Sequence, residues 1–353
     1  MAELRYIPSL HRLAMLTTIA TFPLIFMGGL VTSHGAGMSV PDWPNSYGYN
    51  MFTFPPSKWV GGIFYEHTHR LMGTVVGILS IALTAFAWKV ESRRWVRWLA
   101  TSVLGAVIFQ GILGGLRVVW VNLDLAIVHA CFAQAFFCLA SIVAVVTSRR
   151  WMEAPDRSHE ADGASGRRLA TMAAVCVVAV FAQLIIGAIM RHEKAGLAIP
   201  DLPLAYGAIL PPTTVNGLNA INQQRAWTYQ LEPVTLMQVW LHFAHRIGAV
   251  IVSIALLGLI GVALSRFRTN RWLLMPTLWL IALLSTQLTL GILTVLLRKP
   301  ADIASAHVAT GALLLATTVV FAVRAMRCYS LACRSLAIEN VPRRARGFEL
   351  VTA

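Results

Sequence analysis

The feature that most constrains this chain is a series of eight long apolar stretches separated by polar connections. An α-helix needs roughly 20 apolar residues to cross about 30 Å of hydrocarbon, and each stretch reaches that length. Lipid offers no partner to an exposed backbone N–H or C=O group, so segments at this depth are expected to be helical. The sequence therefore predicts an all-α integral membrane protein with eight transmembrane helices, at approximately residues 12–32, 61–88, 97–117, 124–147, 169–190, 235–265, 272–297 and 303–324.

The composition excludes an ordinary soluble domain. Hydrophobic residues make up 57% of the 353 positions and charged residues only 12%, with a mean hydropathy of +0.66. A soluble domain has roughly 25% charged residues. The net charge of +14 at pH 7 suggests nucleic-acid binding as an alternative. However, the basic residues flank the apolar stretches and no nucleic-acid-binding motif accompanies them, so no nucleic-acid partner is expected.

The basic residues also predict an orientation. Lys and Arg gather in alternate connections, and such clusters stay on the cytoplasmic side of a membrane. We therefore expect a multi-pass protein of a bacterial cytoplasmic membrane with both termini in the cytoplasm. The clusters comprise Arg5, Arg12, Lys89, Arg93, Arg94, Arg97, Arg149, Arg150, Arg157, Arg167, Arg168, Arg266, Arg268, Arg271, Arg324, Arg327, Arg334, Arg343, Arg344 and Arg346.

The chain carries an internal duplication. Residues 37–48, with the sequence GMSVPDWPNSYG, recur at residues 196–207 as GLAIPDLPLAYG, in a connection where helix periodicity cannot generate the match. A Gln-x-x-x-Gly pattern at residues 110–114 recurs at residues 287–291. Similarity at a fixed separation is the signature of repeated structural units.

The duplication predicts two four-helix bundles. The N-terminal repeat would cover residues 1–150, a cytoplasmic linker residues 151–168, and a C-terminal repeat with a cytoplasmic tail residues 169–353. Each repeat holds an even number of spans, so both have the same orientation. They are expected to be related by a pseudo-twofold axis along the membrane normal.

Histidines occupy matching places in the two halves. The second stretch opens with EHTHR at residues 66–70 and the sixth with HFAHR at residues 242–246, and a lone histidine follows near the start of the fourth and eighth stretches. Histidine is costly in contact with lipid, and facing helices of a bundle can hold haem between two histidines. The sequence predicts two haem sites towards the outer leaflet, with the iron ligands His69 and His129, and His245 and His307.

Each part of this prediction has an alternative. A histidine at a membrane boundary commonly bonds to water or backbone. Zinc is the competing metal, because His242 and His245 share a helix face, but neither cysteines nor paired carboxylates accompany them. Arg70 and Arg246 follow the ligand positions and would pair with haem propionates; the alternative is that they extend to lipid headgroups.

The repeat breaks one helical turn before the first ligand of each half, where Glu66 corresponds to His242. A carboxylate at this place can accept a proton, orient water or stabilise a developing positive charge. The asymmetry predicts a catalytic haem site in the N-terminal half and an electron-transfer site in the C-terminal half. An interfacial glutamate without a catalytic role is the alternative.

At these residues the chain resembles the heme A synthase family over essentially its whole length. The resemblance rests on the motif at residues 66–70, on the later His129, on the pair His245 and His307, and on the duplicated four-helix plan. It implies an oxidoreductase that converts heme O to heme A by oxidising one porphyrin methyl group to a formyl group through successive hydroxylations.

The resemblance also implies roles for individual residues. Glu66 would be the catalytic carboxylate of the N-terminal half, where His69 and His129 flank the iron of the substrate haem. His245 and His307 would be the axial ligands of a haem b that passes electrons onward. The implied partners are heme O as substrate, heme O synthase, a haem-copper oxidase and membrane lipid, and the sequence leaves self-association open.

Two features depart from the family's pattern. Some members carry a cysteine pair in the first outward loop, and residues 35–59 contain no cysteine. The second outward loop, residues 191–233, is longer than the first, and a lid, a partner surface and a tolerated insertion remain open as its role.

Two other functions compete with the synthase. One is a di-haem b membrane electron carrier, such as a quinol-linked cytochrome, without haem-modifying activity. The other is a transporter with repeats, which would need charged or broken helices near the midplane of the membrane.

Overall fold

The structure is a computed structural model that describes residues 6–154 and 163–329. These residues form helices joined by loops, short 3-10 turns and a π-helical turn at Arg225–Tyr229, with isolated bridges in place of strands. The α-helices of this part of the chain are α1 (Pro8–Ser33), α2 (Gly62–Val90), α3 (Arg94–Val119), α4 (Leu123–Val146), α5 (Arg149–Met152), α6 (Gly163–His192), α7 (Val215–Gln224), α8 (Leu236–Arg266), α9 (Arg271–Leu296) and α10 (Ala301–Tyr329).

Eight of these helices, all except α5 and α7, are long and apolar enough to cross a membrane. The predicted all-helical protein with eight spans is therefore confirmed for the described residues. The cytoplasmic tail expected after α10 lies outside them, as do the basic residues Arg5, Arg157, Arg334, Arg343, Arg344 and Arg346.

Some helices extend beyond the predicted apolar stretches. Helix α6 begins at Gly163, whereas the apolar stretch begins near residue 169, and α10 continues past residue 324 to Tyr329. The added turns contain arginines such as Arg168 and Arg327. Long basic side chains keep their charge in water while their stems cover apolar surface, so a helix can continue through them. Hydropathy alone locates only the hydrocarbon-spanning part.

The helices pack as neighbours within each half of the chain. In the first half α1 contacts α2 and α4, and α3 contacts α2 and α4; in the second half α6 contacts α8 and α10, and α9 contacts α8 and α10. Between the halves, α1 contacts α10, α4 contacts α6, and α4 contacts α10. The most apolar windows of α10 and α4 are 56% and 44% buried, against 33% or less for the other six spans. These two helices therefore form the centre of the molecule.

The first repeated loop is braced by its own aspartate. The Asp42 carboxylate accepts hydrogen bonds from the backbone N–H groups of Tyr47 and Gly48, at 2.7 and 2.8 Å. Tyr47 in turn donates its hydroxyl to the carbonyl of Ser39 at 2.5 Å. Burial raises the pKa of Asp42, but the N–H groups of Gly48 and Tyr47 lower it, and the pKa lies below its ordinary value.

The second repeated loop has the same hydrogen bonds. Asp201 accepts from the N–H groups of Tyr206 and Gly207 at 2.8 and 2.9 Å, and the Tyr206 hydroxyl donates to the carbonyl of Ala198. Gly207 has a φ of 78° and Gly48 a φ of 75°, a conformation that glycine adopts at little cost. The sequence similarity of residues 37–48 and 196–207 thus corresponds to one loop conformation.

A buried ion pair closes the connection between α2 and α3. Glu91 and Arg93 are 6% and 7% exposed and their side chains lie 2.8 Å apart. Arg93 also donates to the carbonyl of Val146 at the end of α4, at 2.9 Å. Burial raises the pKa of Glu91, but the hydrogen bonds and charge of Arg93 lower it, and the pKa lies below its ordinary value. The connection after α8 instead packs the buried Phe267 against the ring of Tyr329, with centroids 5.5 Å apart.

Candidate functional site

The structure brings the predicted histidines together in two pairs. The ring centroids of His69 on α2 and His129 on α4 lie 6.4 Å apart with an interplanar angle of 78°. Those of His245 on α8 and His307 on α10 lie 6.5 Å apart at 72°. The two halves of the chain therefore hold their pairs in nearly the same geometry. We call the first pair the N-terminal site and the second the C-terminal site.

The spacing in each site fits one metal between two rings. A histidine nitrogen binds a metal at about 2 Å, so each ring centre lies about 3 Å from the metal and two opposed rings lie about 6 Å apart. A haem iron needs only these two axial nitrogens. A structural zinc site would need further ligands, and the described residues contain no group of three or more His, Cys, Asp or Glu suited to a metal ion. Haem fits the two pairs better than zinc.

Each of the four paired histidines packs against a glycine of a neighbouring helix. A Cβ added to Gly28 on α1 would lie 3.0 Å from Cε1 of His69, and one added to Gly114 on α3 would lie 3.0 Å from Cε1 of His129. The same contacts recur in the second half: Gly187 on α6 faces His245 at 3.1 Å, and Gly291 on α9 faces His307 at 3.0 Å. A side chain at any of these positions would force the imidazole ring to shift.

The ring nitrogens differ between the sites. In the C-terminal site, Nδ1 of His245 lies 3.0 Å from the side-chain amide of Gln183, and Nδ1 of His307 lies 3.2 Å from the carbonyl of Gln287. In the N-terminal site the backbone carbonyls of Leu24 and Gln110 act on the rings of His69 and His129, although the Nδ1 atoms of these rings make no bond of ordinary hydrogen-bond geometry to the described residues. A backbone carbonyl thus acts on the rings of His69, His129 and His307, while His245 contacts the side-chain amide of Gln183 instead.

Glu66 is buried at 3% exposure, with both carboxylate oxygens engaged. Oε2 accepts from the backbone N–H of Val40 and Oε1 from Nη2 of Arg70, each at 2.9 Å. In the second half, Nδ1 of His242 accepts from the N–H of Ile199 at 3.2 Å. Glu66 and His242 therefore fill the same structural position, where each fixes the repeated loop to the ligand helix. Only Glu66 brings a carboxylate.

Arg70 binds the loop through several carbonyls. Its guanidinium donates to the carbonyls of Val40, Asp42 and Asn45 at 2.7 to 3.0 Å, in addition to Glu66. A propionate at this place would have to share the guanidinium with these acceptors.

Arg246 does the same in the second half. It donates to the carbonyls of Ile199 and Leu204 at 2.8 and 2.9 Å. Both arginines of the histidine motifs therefore lie beside their sites and hold the repeated loops in place.

Two further arginines were not identified from the sequence. Arg117, in the last turn of α3, donates to the carbonyl of Gly37 at 2.7 Å, and its charge acts on both His69 and His129. Arg191, in the last turn of α6, donates to Ser33 Oγ at 2.6 Å, and its charge acts on His307. A signal was present, since both lie at the end of a span opposite to the basic clusters.

His67 lies in an aromatic pocket and not in a histidine pair. Its ring centroid is 5.0 Å from that of Phe54 and 4.7 Å from that of Trp59, and Nδ1 lies 3.2 Å from Ser46 Oγ. The neighbouring histidine of the EHTHR motif thus stabilises the first outward loop.

The longer second outward loop folds onto the repeated loop. It contains α7 and the π-helical turn, where the buried Arg225 donates to the carbonyls of Leu197, Ala198 and Glu232 at 2.9 to 3.0 Å. Trp227 beside it is 87% exposed. The insertion therefore has its own ordered hydrogen bonds, which its composition did not predict.

Comparison with known proteins identifies the family. Residues 11–319 match the model of the COX15-CtaA family, described as cytochrome oxidase assembly protein. Three relatives are each named heme A synthase. The one of Shouchella clausii is 29% identical over 72% of this chain and 85% of its own length. The one of Shewanella oneidensis is 25% identical over 87% of this chain and 94% of its own length. The one of Listeria monocytogenes is 26% identical over 83% of this chain and 88% of its own length. With most of its length matched to the model, the chain belongs to this family of cytochrome oxidase assembly proteins.

Proposed function

We propose that this protein is a heme A synthase, a membrane oxidoreductase that oxidises one methyl group of heme O to a formyl group. The observation that carries the proposal is a buried carboxylate, Glu66, beside only one of two equally spaced histidine pairs. The similarity to relatives named heme A synthase supports the same function. A di-haem electron carrier would need both histidine pairs but gives no reason for the buried carboxylate.

The proposal includes two duplicated four-helix bundles, at residues 1–150 and 169–353 with the linker 151–168 between them. Matching contacts support a pseudo-twofold axis along the membrane normal. In the duplication α1 corresponds to α6 and α4 corresponds to α10. The contact of α1 with α10 therefore has its equivalent in the contact of α6 with α4. Helices α4 and α10 also pack against each other, as a twofold axis between them requires. The four equivalent glycine–histidine contacts support the same symmetry.

We assign the N-terminal site to the substrate haem, with heme O entering and heme A leaving, and the C-terminal site to haem b. His69 and His129 would hold the substrate iron, and His245 and His307 the haem b iron. The carboxylate beside the first pair, which has no counterpart beside the second, supports this division.

Arg70 and Arg246 belong to the same proposal as cofactor-binding residues. Their bonds to the loop carbonyls position the loop beside each haem, and pairing with propionates stays a prediction. Arg117 donates to one protein acceptor, and Arg191, like Arg246, donates to two. Both are additional partners for carboxylates, because arginine recognises a carboxylate through parallel N–H bonds.

The orientation remains part of the proposal. Alternating Lys and Arg clusters favour cytoplasmic termini in a bacterial cytoplasmic membrane, which puts both sites towards the outer leaflet. The proposed partners are heme O synthase, which would deliver heme O, and a haem-copper oxidase, which would use heme A. Self-association is left open.

The chemistry of the N-terminal site follows from its residues. His69 and His129 would together hold the substrate iron and leave it no open position for oxygen, and this would favour water as the nucleophile that attacks the oxidised methyl carbon. Each such hydroxylation releases two electrons and two protons, and loss of water from the doubly hydroxylated carbon leaves the formyl group. When bound, haem b would accept these electrons one at a time and pass them to an external electron acceptor, which reoxidises it between transfers.

Glu66 is the residue placed to receive a proton from the attacking water. Each of its oxygens accepts one hydrogen bond from protein, and an ionised carboxylate oxygen has a further lone pair for water. Arg70 and the N–H of Val40 hold the carboxylate one turn from His69. A general base in position contributes typically about 100- to 10,000-fold to a rate.

The variant Glu66→Gln tests this function. Glutamine retains an acceptor for the N–H of Val40 but cannot take up the proton, so we expect the haem b spectrum to remain and heme A formation to fall by at least about 100-fold. Haem extraction after expression with a heme O supply should show heme O or a partly oxidised product.

The matched control is His242→Gln, which places the same amide at the equivalent position of the other half. It should reduce heme A formation much less. Near-normal heme A from Glu66→Gln would remove this carboxylate from the mechanism and favour the di-haem electron carrier.

A further inference from the structure

The helix ends opposite to the histidine pairs carry a row of three tryptophans. Trp95 lies at the start of α3, Trp151 in the short helix α5, and Trp272 at the start of α9. The ring centroids of Trp95 and Trp151 lie 6.4 Å apart, and those of Trp151 and Trp272 lie 6.2 Å apart. Tryptophan is enriched where a membrane meets water, because its ring system is apolar and carries one polar N–H group. The row therefore marks a membrane boundary, and it joins segments of both halves.

An arginine lies over each ring of this row, with its Cζ atom 5.5 to 5.8 Å from the ring centroid. The pairs are Arg93 over Trp95, Arg327 over Trp151 and Arg324 over Trp272. These distances are within the range of a cation–π contact. Arg324 follows His307 on α10 by 17 residues, which is about 25 Å along the helix axis. The row is thus remote from both histidine pairs.

Positive charge in this row is not balanced by the acidic residues that the structure describes. Arg93 pairs with Glu91. Arg324 and Arg327 take part in none of the ion pairs of the described residues, and neither does Arg150 of α5. The charge of Arg150 acts directly on Arg324. Three cations therefore gather around the tryptophans, and like charges in contact are unfavourable unless an anion lies between them.

Arg324 has N–H groups directed to such an anion. Its Nη1 donates to the carbonyl of Trp272 at 3.0 Å, whereas the buried Nε makes no hydrogen bond to the described residues. A guanidinium carries five N–H donors, and a buried donor without a partner is unfavourable. An anion beside Arg324 would accept from Nε and would offset the charge of Arg150.

The position of the cluster identifies the class of anion. Arginine binds phosphate through parallel N–H bonds, and the phosphates found at a membrane boundary are those of lipid headgroups. Basic pockets between transmembrane helices bind such headgroups, and the tryptophan rings can contact the glycerol and upper acyl carbons. In a zwitterionic lipid the amine already balances the phosphate. A cluster of unbalanced arginines therefore favours a lipid with a net negative charge.

We propose that Arg150, Arg324 and Arg327, with the rings of Trp151 and Trp272, bind the headgroup phosphate of an anionic phospholipid. The site lies between α5, which follows α4, and the ends of α9 and α10. A bound lipid would thus connect the two halves of the chain at the membrane face opposite to the histidine pairs. This binding is independent of the haem chemistry.

Native mass spectrometry of the full-length protein tests the site. Protein stripped of lipid in detergent is titrated separately with phosphatidylglycerol, phosphatidylcholine of the same chain length, and inorganic phosphate. We expect one phosphatidylglycerol to bind at least about 10-fold more tightly than phosphatidylcholine, and inorganic phosphate not to compete with it at equal concentration. Arg324→Gln should weaken this binding by about 10-fold, the effect of one charge-assisted hydrogen bond. Arg150→Gln should weaken it by about 5-fold, the effect of one basic charge near an anionic headgroup.

The matched control is Arg97→Gln, which removes the same charge from another arginine–tryptophan pair. Arg97 lies over Trp88, with Cζ 5.1 Å from the ring centroid, and it is not part of the row. This variant should leave the binding unchanged. Equal losses in Arg97→Gln and Arg324→Gln would overturn the proposal, as would equal affinities for the two lipids. Competition by inorganic phosphate would identify a site for free anions and would also overturn it. Arg150 is exposed, so its variant gives a result that does not depend on how Arg324→Gln folds.

A second control concerns acidic residues outside the described ranges. Asp156, Glu160 and Asp162 follow α5 in the sequence. The triple variant Asp156→Asn, Glu160→Gln, Asp162→Asn should bind phosphatidylglycerol as the unmodified protein does. A 10-fold or greater gain in affinity would mean that these carboxylates occupy the arginines in place of a lipid, and would overturn the proposal.

Discussion

The two halves of this molecule hold their histidine pairs alike and surround them differently. The ring centroids lie 6.4 and 6.5 Å apart, and each ring rests on a glycine of the neighbouring helix. The differences lie one helical turn away, where Glu66 corresponds to His242 and Leu24 to Gln183. The frame around each histidine pair is thus common to both halves, while the differences between the halves are single substitutions around it.

The outward loops show the same division. Both repeated loops use an aspartate and a tyrosine for the same internal hydrogen bonds. The first is then packed around His67 by aromatic rings, whereas the second is covered by α7 and the buried Arg225. The same loop conformation can pack against different residues in the two halves, because hydrogen bonds within the loop stabilise it.

The largest expected effect is the loss of one site by removal of a ligand. We expect His245→Ala or His307→Ala to abolish the low-spin absorption of haem b, because one axial nitrogen is lost and the methyl group cannot replace it. His69→Ala should leave that absorption in place and change only the haem of the N-terminal site. Optical spectra and extracted haem of the three variants measure this. A full bis-histidine spectrum of haem b in His245→Ala would show that the pairs are wrongly assigned.

A smaller effect is expected from the glycines that support the rings. Gly114→Ala places a Cβ 3.0 Å from Cε1 of His129, so the ring must shift by a few tenths of an ångström and haem affinity at the N-terminal site should fall. Gly291→Ala should act in the same way on the C-terminal site alone. The comparison uses haem content and the spectrum of each site.

The control for the two glycine variants is Gly111, which lies on α3 with Gly114. A Cβ at Gly111, one turn before Gly114, would meet nothing within 4 Å. Gly111→Ala should therefore leave both sites intact and make α3 slightly more stable, by up to about 1 kcal/mol. Equal haem loss in Gly111→Ala and Gly114→Ala would mean that ring contact is not the cause.

The sequence predicts the spans and the histidine pairs because both depend on local or repeated signals. Apolar length is a property of each segment, and the duplication shows which histidines correspond. The partners of Arg70 were not predictable, because its carbonyl acceptors are chosen by the folded loop. The repeated Gln110 and Gln287 were visible in the sequence, but their place one helical turn before glycines that face the paired rings is seen only in the structure.

The smallest expected effect concerns the short connection that follows the second span of each half. In the first half this connection contains the buried ion pair of Glu91 and Arg93, and in the second half it contains the buried Phe267. Because the pKa of Glu91 is lowered on folding, its ionised form stabilises the protein above the ordinary carboxyl pKa of about 4.3. This contribution is lost as the pH falls through the lowered value. Glu91→Gln should lower the midpoint of thermal unfolding at pH 7 by a few degrees. It should also make the midpoint fall less than in the unmodified protein when the pH is lowered from 7 to about 2, below the lowered pKa of Glu91. Phe267→Leu should shift the midpoint equally at both pH values. Unfolding followed by circular dichroism in detergent measures both, and an unchanged pH dependence in Glu91→Gln would mean that the ion pair does not distinguish the two halves.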